Sequence, residues 1–259
     1  MTRRRLDAEL VRRDLARSRA EAKALIDEGL VVVADNPTPK ATSQVDANVS
    51  IRIERPLHPY VGRGGLKLEA ALDAFSVDVT GRACIDVGAS TGGFTDCLLQ
   101  RGAASVVAVD VGYGQLDLRL RDDPRVVVRD RTNIRTADVA ELGAPFDVVV
   151  GDLSFISLCT VAPVIAGLGQ DETDWVLLVK PQFEVGKDAI ARGGIVRDPM
   201  AHLAALTDVV TCLASAGVGA VAVAKSPVTG AKSGNTEFLL HGRRGAPRLP
   251  AGALEEVVA

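Results

Sequence analysis

An apolar strand, a glycine-rich turn and a helix follow one another between residues 84 and 100, and this stretch constrains the fold more than any other. The letters CIDV form a short apolar run, and three glycines interrupt it at Gly88, Gly92 and Gly93. Residues 94–100 then carry apolar side chains at helical spacing. Because glycines let the backbone approach a ligand and the first amides of a helix lack internal partners, the stretch predicts a site for a carboxylate or a phosphate.

The spacing of these glycines separates the candidate ligands. A dinucleotide fingerprint has Gly-x-Gly-x-x-Gly, whereas no glycine stands two residues after Gly88, and no Lys-Ser/Thr pair follows as it does in a P-loop. A nucleoside with an amino-acid carboxylate, such as S-adenosylmethionine, remains, as does a tight turn that only joins strand to helix. The candidate cofactor-binding residues of the turn are Gly88, Ser90, Thr91, Gly92 and Phe94.

Short apolar segments alternate with helical patterns along the rest of the chain. The predicted buried strands are 106–109, 126–128, 147–150, 175–179, 218–224 and 238–240. Such alternation predicts an α/β fold with a doubly wound, Rossmann-like sheet. In that architecture ligands bind beyond the carboxyl ends of the strands, where this chain has Asp110, Asp130, Asp152 and Lys180.

Two of these acids suit a nucleoside. Asp110 ends a strand about twenty residues after the glycine turn, where a carboxylate accepts hydrogen bonds from ribose hydroxyls. Asp130, after the next strand, is predicted to contact the adenine side of the same ligand. The alternative is that each acid only caps the end of its strand.

A second group of charged residues is expected at the mouth of the same crevice. Asp152 and Lys180 end the fourth and fifth strands, Lys67 follows a run of glycines at a predicted helix start, and Glu237 begins the last strand. Two ammonium and two carboxylate groups predict a proton-transfer centre that suits an alcohol nucleophile. We expect Lys180 to act as the base, Asp152 to orient it and Glu237 to position Lys67.

Composition excludes several classes of protein. The 259 residues are 47% hydrophobic and 24% charged, which is ordinary for a globular chain. No apolar run approaches the roughly 20 residues of a membrane span, and the basic first residues lack the apolar core of a signal peptide, so we expect a cytoplasmic protein with no membrane partner. The cysteines have no metal-ligand spacing and favour buried reduced thiols over zinc or disulfides at Cys84, Cys97, Cys159 and Cys212.

Charge is unevenly distributed along the chain. Residues 1–67 hold 13 Lys/Arg against 9 Asp/Glu, and the remainder holds 17 against 24. Residues 6–15 form an amphipathic helix with a strongly basic side, a second helix follows Ser18, and strands are predicted at 30–33 and 45–53. This asymmetry suggests a polyanion-binding arm on an acidic body, although a solvated helix face would give the same charge run.

These patterns divide the chain into four segments. Two prolines mark a linker, because each disfavours helix before it and lacks an amide donor. The predicted segments are a small domain at 1–54, a linker at 55–59, the α/β domain at 60–245 and a tail at 246–259.

The small domain resembles a known RNA-binding fold. The letters ARSRAEAKALIDEGLVVV, residues 16–33, are similar to an α+β fold first described in a ribosomal protein of the small subunit. The absence of aromatic side chains in this region favours folded RNA over single strands. The resemblance implies that flexible polar and basic side chains contact phosphates, and the candidates are Arg4, Arg17, Ser18, Arg19 and Lys23.

The chain as a whole resembles the TlyA family. The motifs are YVGRGGLKL, DVGASTGGFTD, DVGYGQL, DLSFISL, LVKPQFEVGK, GGIVRD and SGNTEFLL. Members of that family join the small RNA-binding domain to an FtsJ-type methyltransferase domain, which implies 2'-O-methylation of cytidine in 16S and 23S ribosomal RNA from S-adenosylmethionine. The family's catalytic tetrad maps onto Lys67, Asp152, Lys180 and Glu237, and Gly62 departs from the Ser of many members.

Three other functions compete with this interpretation. A non-catalytic ribosome-assembly factor would keep the RNA-binding unit but would not need the charged tetrad. A haemolysin, the label that TlyA relatives often carry, would need a membrane-spanning or strongly amphipathic segment. A small-molecule methyltransferase would have no use for the basic first unit.

Overall fold

The structure, a computed structural model, describes residues 3–16, 18–34, 39–54, 58–186, 190, 193–230, 234–247, 249–250 and 252–259. The chain forms two compact units, Met1–Pro59 and Tyr60–Ala259. Residues 55–57 of the predicted linker and the predicted RNA contact Arg17 lie outside the described residues.

The first unit packs two helices against short strand pairs. Its elements are β1 (Arg3–Arg5), α1 (Leu6–Arg12), α2 (Arg19–Asp27), β2 (Val31–Val33), β3 (Gln44–Asp46) and β4 (Ile51–Ile53). Strand β1 pairs antiparallel with β3, and β2 pairs antiparallel with β4. The apolar faces of both helices, including Leu6, Leu10, Ala22 and Leu25, form a separate small core.

The predicted strand at 45–53 is wrong in one respect, because a turn divides it into β3 and β4. The Val49 amide donates to Asp46 O at 3.1 Å, which closes the turn. The Arg13 guanidinium fixes the same turn by donating to Val49 O at 2.7 Å and Ala47 O at 2.8 Å. Arg13, at the end of α1, therefore stabilises the turn that separates β3 from β4. The alternation of side chains within residues 45–53 could not indicate this contact.

The second unit contains the predicted α/β sheet. Its strands are β5 (Ala83–Val87), β6 (Ser105–Val109), β7 (Val126–Arg129), β8 (Phe146–Gly151), β9 (Gly169–Val179), β10 (Val218–Lys225) and β11 (Phe238–Arg244). Over the described residues the sheet has the order β10-β11-β9-β8-β5-β6-β7, and β11 runs antiparallel to both its neighbours. The chain starts in the middle at β5, builds outward to β7, and returns to β8, so the winding reverses between β5 and β8. The fold class is thus confirmed, and ligands are expected at this reversal.

Helices cover both faces of the sheet. They are α3 (Gly64–Phe75), α4 (Gly93–Gln100), α5 (Leu118–Arg121), α6 (Leu158–Gly167), α7 (Pro181–Glu184), α8 (Pro199–Ser215) and α9 (Ala253–Val258). Successive strand residues face opposite layers, so Val148 and Val150 join the core under α3 and α4, whereas Val149 joins the core under α6 and α8. This two-sided burial explains why the strands are continuous apolar runs.

The structure corrects the prediction for two of the four cysteines. Cys84 and Cys97 are buried free thiols, as predicted. Cys159 and Cys212, however, form a disulfide whose Cα atoms lie 5.3 Å apart. The two residues are 53 positions apart in sequence and meet because α6 packs against α8, so spacing along the chain gave no signal for the bond.

The described part of the chain contains no helix that is both long and apolar enough to span a membrane. It also contains no group of three His, Cys, Asp or Glu side chains that could hold a metal ion. In the predicted tail, α9 places Leu254, Val257 and Val258 against the core under α8.

Candidate functional site

The glycine turn joins β5 to α4 at the point where the winding of the sheet reverses. Gly88 has φ +87°, and a Cβ there would lie 3.0 Å from the carbonyl oxygen of Asp152. Gly92, the N-cap of α4, has φ +97°, and a Cβ there would lie 2.3 Å from Leu120 Cδ1. Both positions therefore require glycine, for backbone conformation and for space.

A buried carboxyl group that sequence reasoning missed supports this turn. Asp86, on β5, is 0% exposed, and its Oδ2 accepts hydrogen bonds from Thr95 N at 2.9 Å and Thr95 Oγ1 at 2.7 Å. These bonds fix the first turn of α4 against the strand. Burial raises the pKa of Asp86 to about 7, against an ordinary value of 3.8. The sequence did contain a signal for this residue, because Asp86 is an acidic residue within the apolar run CIDV.

The four predicted catalytic residues line one cavity of about 720 Å³ beside the turn. Lys67, from α3, places Nζ 2.5 Å from Glu237 Oε2, at the start of β11. Lys180, at the end of β9, places Nζ 2.5 Å from Asp152 Oδ1, at the end of β8. Lys67, Lys180 and Glu237 are only 7%, 7% and 3% exposed, so the charges are largely removed from water.

The predicted turn residues surround the same cavity. Its lining includes Gly88, Ser90, Thr91 and Phe94, while Gly92 forms the N-cap behind them. Ser154 also lines the cavity, and its Oγ accepts a hydrogen bond from Lys180 Nζ at 2.7 Å. Sequence reasoning missed Ser154, because only the fold shows that the Lys180 ammonium has a second partner.

A second cavity of about 410 Å³ shares Gly88, Ser90 and Asp152 with the first. Asp110 lines it, and the two carboxylate oxygens accept from Ser90 N and Gly112 N, each at 2.7 Å. Asp110 therefore holds the turn in place as well as facing the cavity. Other polar side chains that sequence reasoning missed also line this space, namely Gln115, Thr132 and Asn133.

Asp130 follows β7 directly, at the predicted strand end. It is not among the described residues that line either cavity. Its Oδ2 accepts from Gly114 N at 3.1 Å and forms an ion pair with Arg121. The carboxylate thus stabilises the loop after β6, and its contact with the adenine side of a ligand stays a prediction.

Phe155 is the exposed aromatic residue of the site. It lines both cavities, is 89% exposed, and has φ +65°, which is unfavourable for a bulky side chain. Its ring lies 5.2 Å from the ring of Phe183, centroid to centroid. An exposed aromatic ring in a strained conformation beside a cavity suits contact with a flat ligand.

The first unit carries the candidate RNA contacts on its surface. Ser18 caps α2 by accepting from Glu21 N at 3.2 Å, so part of its hydrogen-bonding capacity serves the helix. Exposed Arg19 pairs with Asp7 at 2.9 Å, and exposed Lys23 pairs with Asp27. Arg4 NH1 lies 3.9 Å from a carboxylate oxygen of Glu9 and is also exposed.

Two buried acids organise the arginines of this unit. Asp7 holds Arg5 and Arg19, and Glu9 holds Arg12 and Arg13. Hydrogen bonds from Arg12 are the main cause that keeps the pKa of Glu9 low, at about 2. Part of the basic helix side is therefore structural, and the remaining guanidinium faces are held in fixed orientations.

Similarity to a known methyltransferase family covers the second unit, and similarity to individual proteins also covers the first unit. The FtsJ-like methyltransferase family matches residues 60–244. The 16S/23S rRNA (cytidine-2'-O)-methyltransferase TlyA of Mycobacterium tuberculosis is 48% identical over 256 residues, which cover 98% of this chain and 95% of that protein.

Solved structures show the same relationship. A protein from Streptococcus thermophilus described as a candidate hemolysin superposes with a TM-score of 0.78 at 38% identity, over 100% of this chain and 95% of that one. An S-adenosylmethionine-dependent methyltransferase from Mesorhizobium loti has a TM-score of 0.53 at 15% identity, over 71% of this chain and 100% of that one. The second likeness concerns the fold alone.

Proposed function

Because the chain belongs to the FtsJ-like methyltransferases, and within them to the TlyA family, we propose that it methylates the 2'-hydroxyl of cytidine in ribosomal RNA. The observation that carries this proposal is the meeting of two ion pairs, the buried Lys67–Glu237 and the partly buried Lys180–Asp152, in one cavity beside the glycine turn. The Mycobacterium relative is named for both 16S and 23S RNA, and we propose ribosomal subunits in the cytoplasm as the substrate.

The residues of the two cavities fit S-adenosylmethionine. Gly88, Ser90 and Thr91 of the turn line the first cavity beside the start of α4, where the partial positive charge of a helix N-terminus favours a carboxylate. Asp110 lines the adjoining cavity, where its oxygens can also accept from ribose hydroxyls. When bound, this cofactor supplies a methyl group activated by a sulfonium. Asp130 stays proposed as the contact to the adenine side of the cofactor.

The chain's own residues handle the proton. A ribose hydroxyl must lose its proton as it attacks, and Lys180 Nζ is proposed to accept it after the resting ammonium has released a proton to water. Asp152 and Ser154 orient that nitrogen through contacts of 2.5 and 2.7 Å. Glu237 holds Lys67 in the same cavity, so the carboxylates serve geometry and the buried setting limits competition from water.

Two further contacts complete the proposal. In the first unit, five side chains contact phosphates of folded RNA, which gives salt-dependent affinity; they are Arg4, Arg17, Ser18, Arg19 and Lys23.

A ribose inside a helix is inaccessible, so the target nucleotide must leave the stack. Phe155 is our candidate for contact with that base, because it is exposed and adjoins the cavity that holds the tetrad.

A methyl-transfer assay on ribosomal subunits tests this function. Subunits that lack the modification are incubated with S-adenosylmethionine carrying a labelled methyl group, and the product nucleoside is identified by mass spectrometry. We expect 2'-O-methylcytidine, and we expect Lys180→Ala to bind cofactor normally by calorimetry while it loses transfer. Lys225→Ala is the matched control, because Lys225 is exposed and does not line either cavity. Transfer by Lys180→Ala at the wild-type rate would contradict the assignment of the base.

A further inference from the structure

The segment from Asp152 to Leu158, here called the 152–158 loop, faces the helical turn α7 across the mouth of the cavity. At its beginning, Asp152 and Ser154 contact Lys180, which immediately precedes α7. In the middle, the rings of Phe155 and Phe183 pack together. These contacts connect the two segments that carry the proposed base, its orienting acid and the proposed base-contacting ring.

The far end of the loop is held by a residue that has no role in the chemistry described above. Glu184, the last residue of α7, accepts a hydrogen bond from Ser157 Oγ at 2.6 Å through Oε2. Its other oxygen, Oε1, accepts from Leu158 N at 2.9 Å. Glu184 is not among the residues that line the two cavities, so it does not touch a ligand there.

The surroundings explain why a carboxylate can occupy this place. Ser157 is the N-cap of α6, a helix of ten residues, and its Oγ accepts from Cys159 N at 3.1 Å. Glu184 accepts from the amide of Leu158, the first residue of α6, and negative charge is favoured at this end of a helix. Burial raises the pKa of Glu184, so its neighbours do not fully compensate for the removal of its charge from water.

We propose that Glu184 is a positioning residue for methyl transfer, which fixes the far end of the 152–158 loop so that Asp152 and Phe155 keep their places at the cavity. This inference rests on the proposed function. Its physical reason is that Phe155 has φ +65°, a strained conformation that persists only when the backbone on both sides is held. Lys180 holds one side, and Glu184 holds the other.

Glu184→Ala and Glu184→Gln distinguish positioning from mere stability. Alanine removes both acceptors, and we expect kcat on ribosomal subunits to fall by about 10- to 100-fold, since small displacements of reacting groups cost that much. The Kd for S-adenosylmethionine and the KM for subunits should change by less than about threefold. Glutamine keeps an acceptor for Leu158 N and can donate to Ser157 Oγ, so it should restore kcat to within about threefold of wild type.

Asp174→Asn is the matched control for loss of a buried carboxylate. Asp174 lies on β9, six residues before Lys180 and therefore about 20 Å away along the strand, where it binds Arg82 and His241. This variant should lower Tm but leave kcat within about twofold. Hydrogen–deuterium exchange without cofactor gives an independent reading, because the Leu158 amide should exchange at least tenfold faster in Glu184→Ala than in wild type.

Each outcome decides the proposal. A folded Glu184→Ala protein with kcat within threefold of wild type, or an unchanged exchange rate at Leu158, overturns it. Equal loss of kcat in the alanine and glutamine variants overturns it as well, because glutamine preserves the hydrogen bonds. If Glu184→Ala does not fold, Ser157→Ala removes one of the two bonds and should lower kcat by about three- to tenfold, and no loss would refute the idea. If wild-type protein transfers no methyl group, the proposed function fails, and the exchange experiment still tests the link.

Discussion

Replacing Asp86 by Asn should change how the stability of the second unit depends on pH. The Asp86 carboxyl has a pKa of about 7 in the folded protein and an ordinary value of 3.8. Between these values the folded protein keeps a proton that the unfolded chain releases, so stability falls as pH rises from about 4 to about 7. The difference of about three pH units corresponds to about 4 kcal/mol, lost in full above pH 7.

Asparagine at this position cannot ionise, yet its side-chain oxygen can still accept from Thr95 N. We therefore expect Asp86→Asn to be no more stable than wild type near pH 4.5 and more stable near pH 8. The free energy of unfolding of the variant minus that of wild type should rise by up to about 4 kcal/mol between these pH values. The raised pKa comes mainly from burial, and Thr95→Val removes one donor that lowers the pKa of the folded carboxyl. In Thr95→Val the fall in stability should therefore begin at the same pH and extend to higher pH.

Urea denaturation followed by tryptophan fluorescence measures this effect. Trp175 is the single tryptophan of the chain and is fully buried in the second unit, so its emission reports that unit. Asp123→Asn serves as the control, because Arg125 lowers the pKa of the half-buried Asp123 and its contribution is constant from pH 5 to 8. A stability difference between Asp86→Asn and wild type that stays flat from pH 4.5 to 8 would refute the reasoning.

Three further predictions concern the site and the first unit. Lys67→Ala leaves Glu237 buried without its ammonium partner and should cost about 3–5 kcal/mol in urea denaturation; a loss below 1 kcal/mol would show that the pair is not desolvated. Arg19→Ala should weaken rRNA binding and reduce the salt slope by about one, whereas Arg13→Ala, which releases the β3–β4 turn, should lower the Tm of the first unit with less effect on that slope. The opposite ranking in filter binding would contradict this division. Phe155→Ala should lower kcat by about 5- to 150-fold, as expected for lost stacking worth 1–3 kcal/mol, with Tm unchanged because the ring is exposed. An unchanged kcat would remove Phe155 from the proposal.

Local patterns were sufficient where one stretch of chain contains both the cause and its effect. The glycine turn is such a case, since Gly88 and Gly92 adopt positive φ at the two positions where the strand ends and the helix begins. The doubly wound sheet is another, because strands buried on both faces must be apolar throughout. The position of Lys180 at a strand end followed from the same pattern.

Contacts between distant segments were beyond such reasoning. The partners of Asp130 are one example, because the sequence pattern gave no signal that Arg121 and the Gly114 amide engage its carboxylate. The disulfide was missed for the same reason, because two helices had to pack before Cys159 and Cys212 could meet.

The sequence by itself determined the order of strands and helices, the glycine turn and the identity of the four charged residues near one crevice. The sequence also predicted their pairing, Lys67 with Glu237 and Lys180 with Asp152, which the structure shows as two ion pairs. Only the tertiary structure decided how deeply these side chains are buried, and it added the contacts of Asp86 and Glu184. The physical reason is the separation along the chain of the residues that determine each property. Backbone conformation and apolar periodicity depend on neighbours in sequence, whereas the burial and partners of a charge depend on whichever segments fold around it.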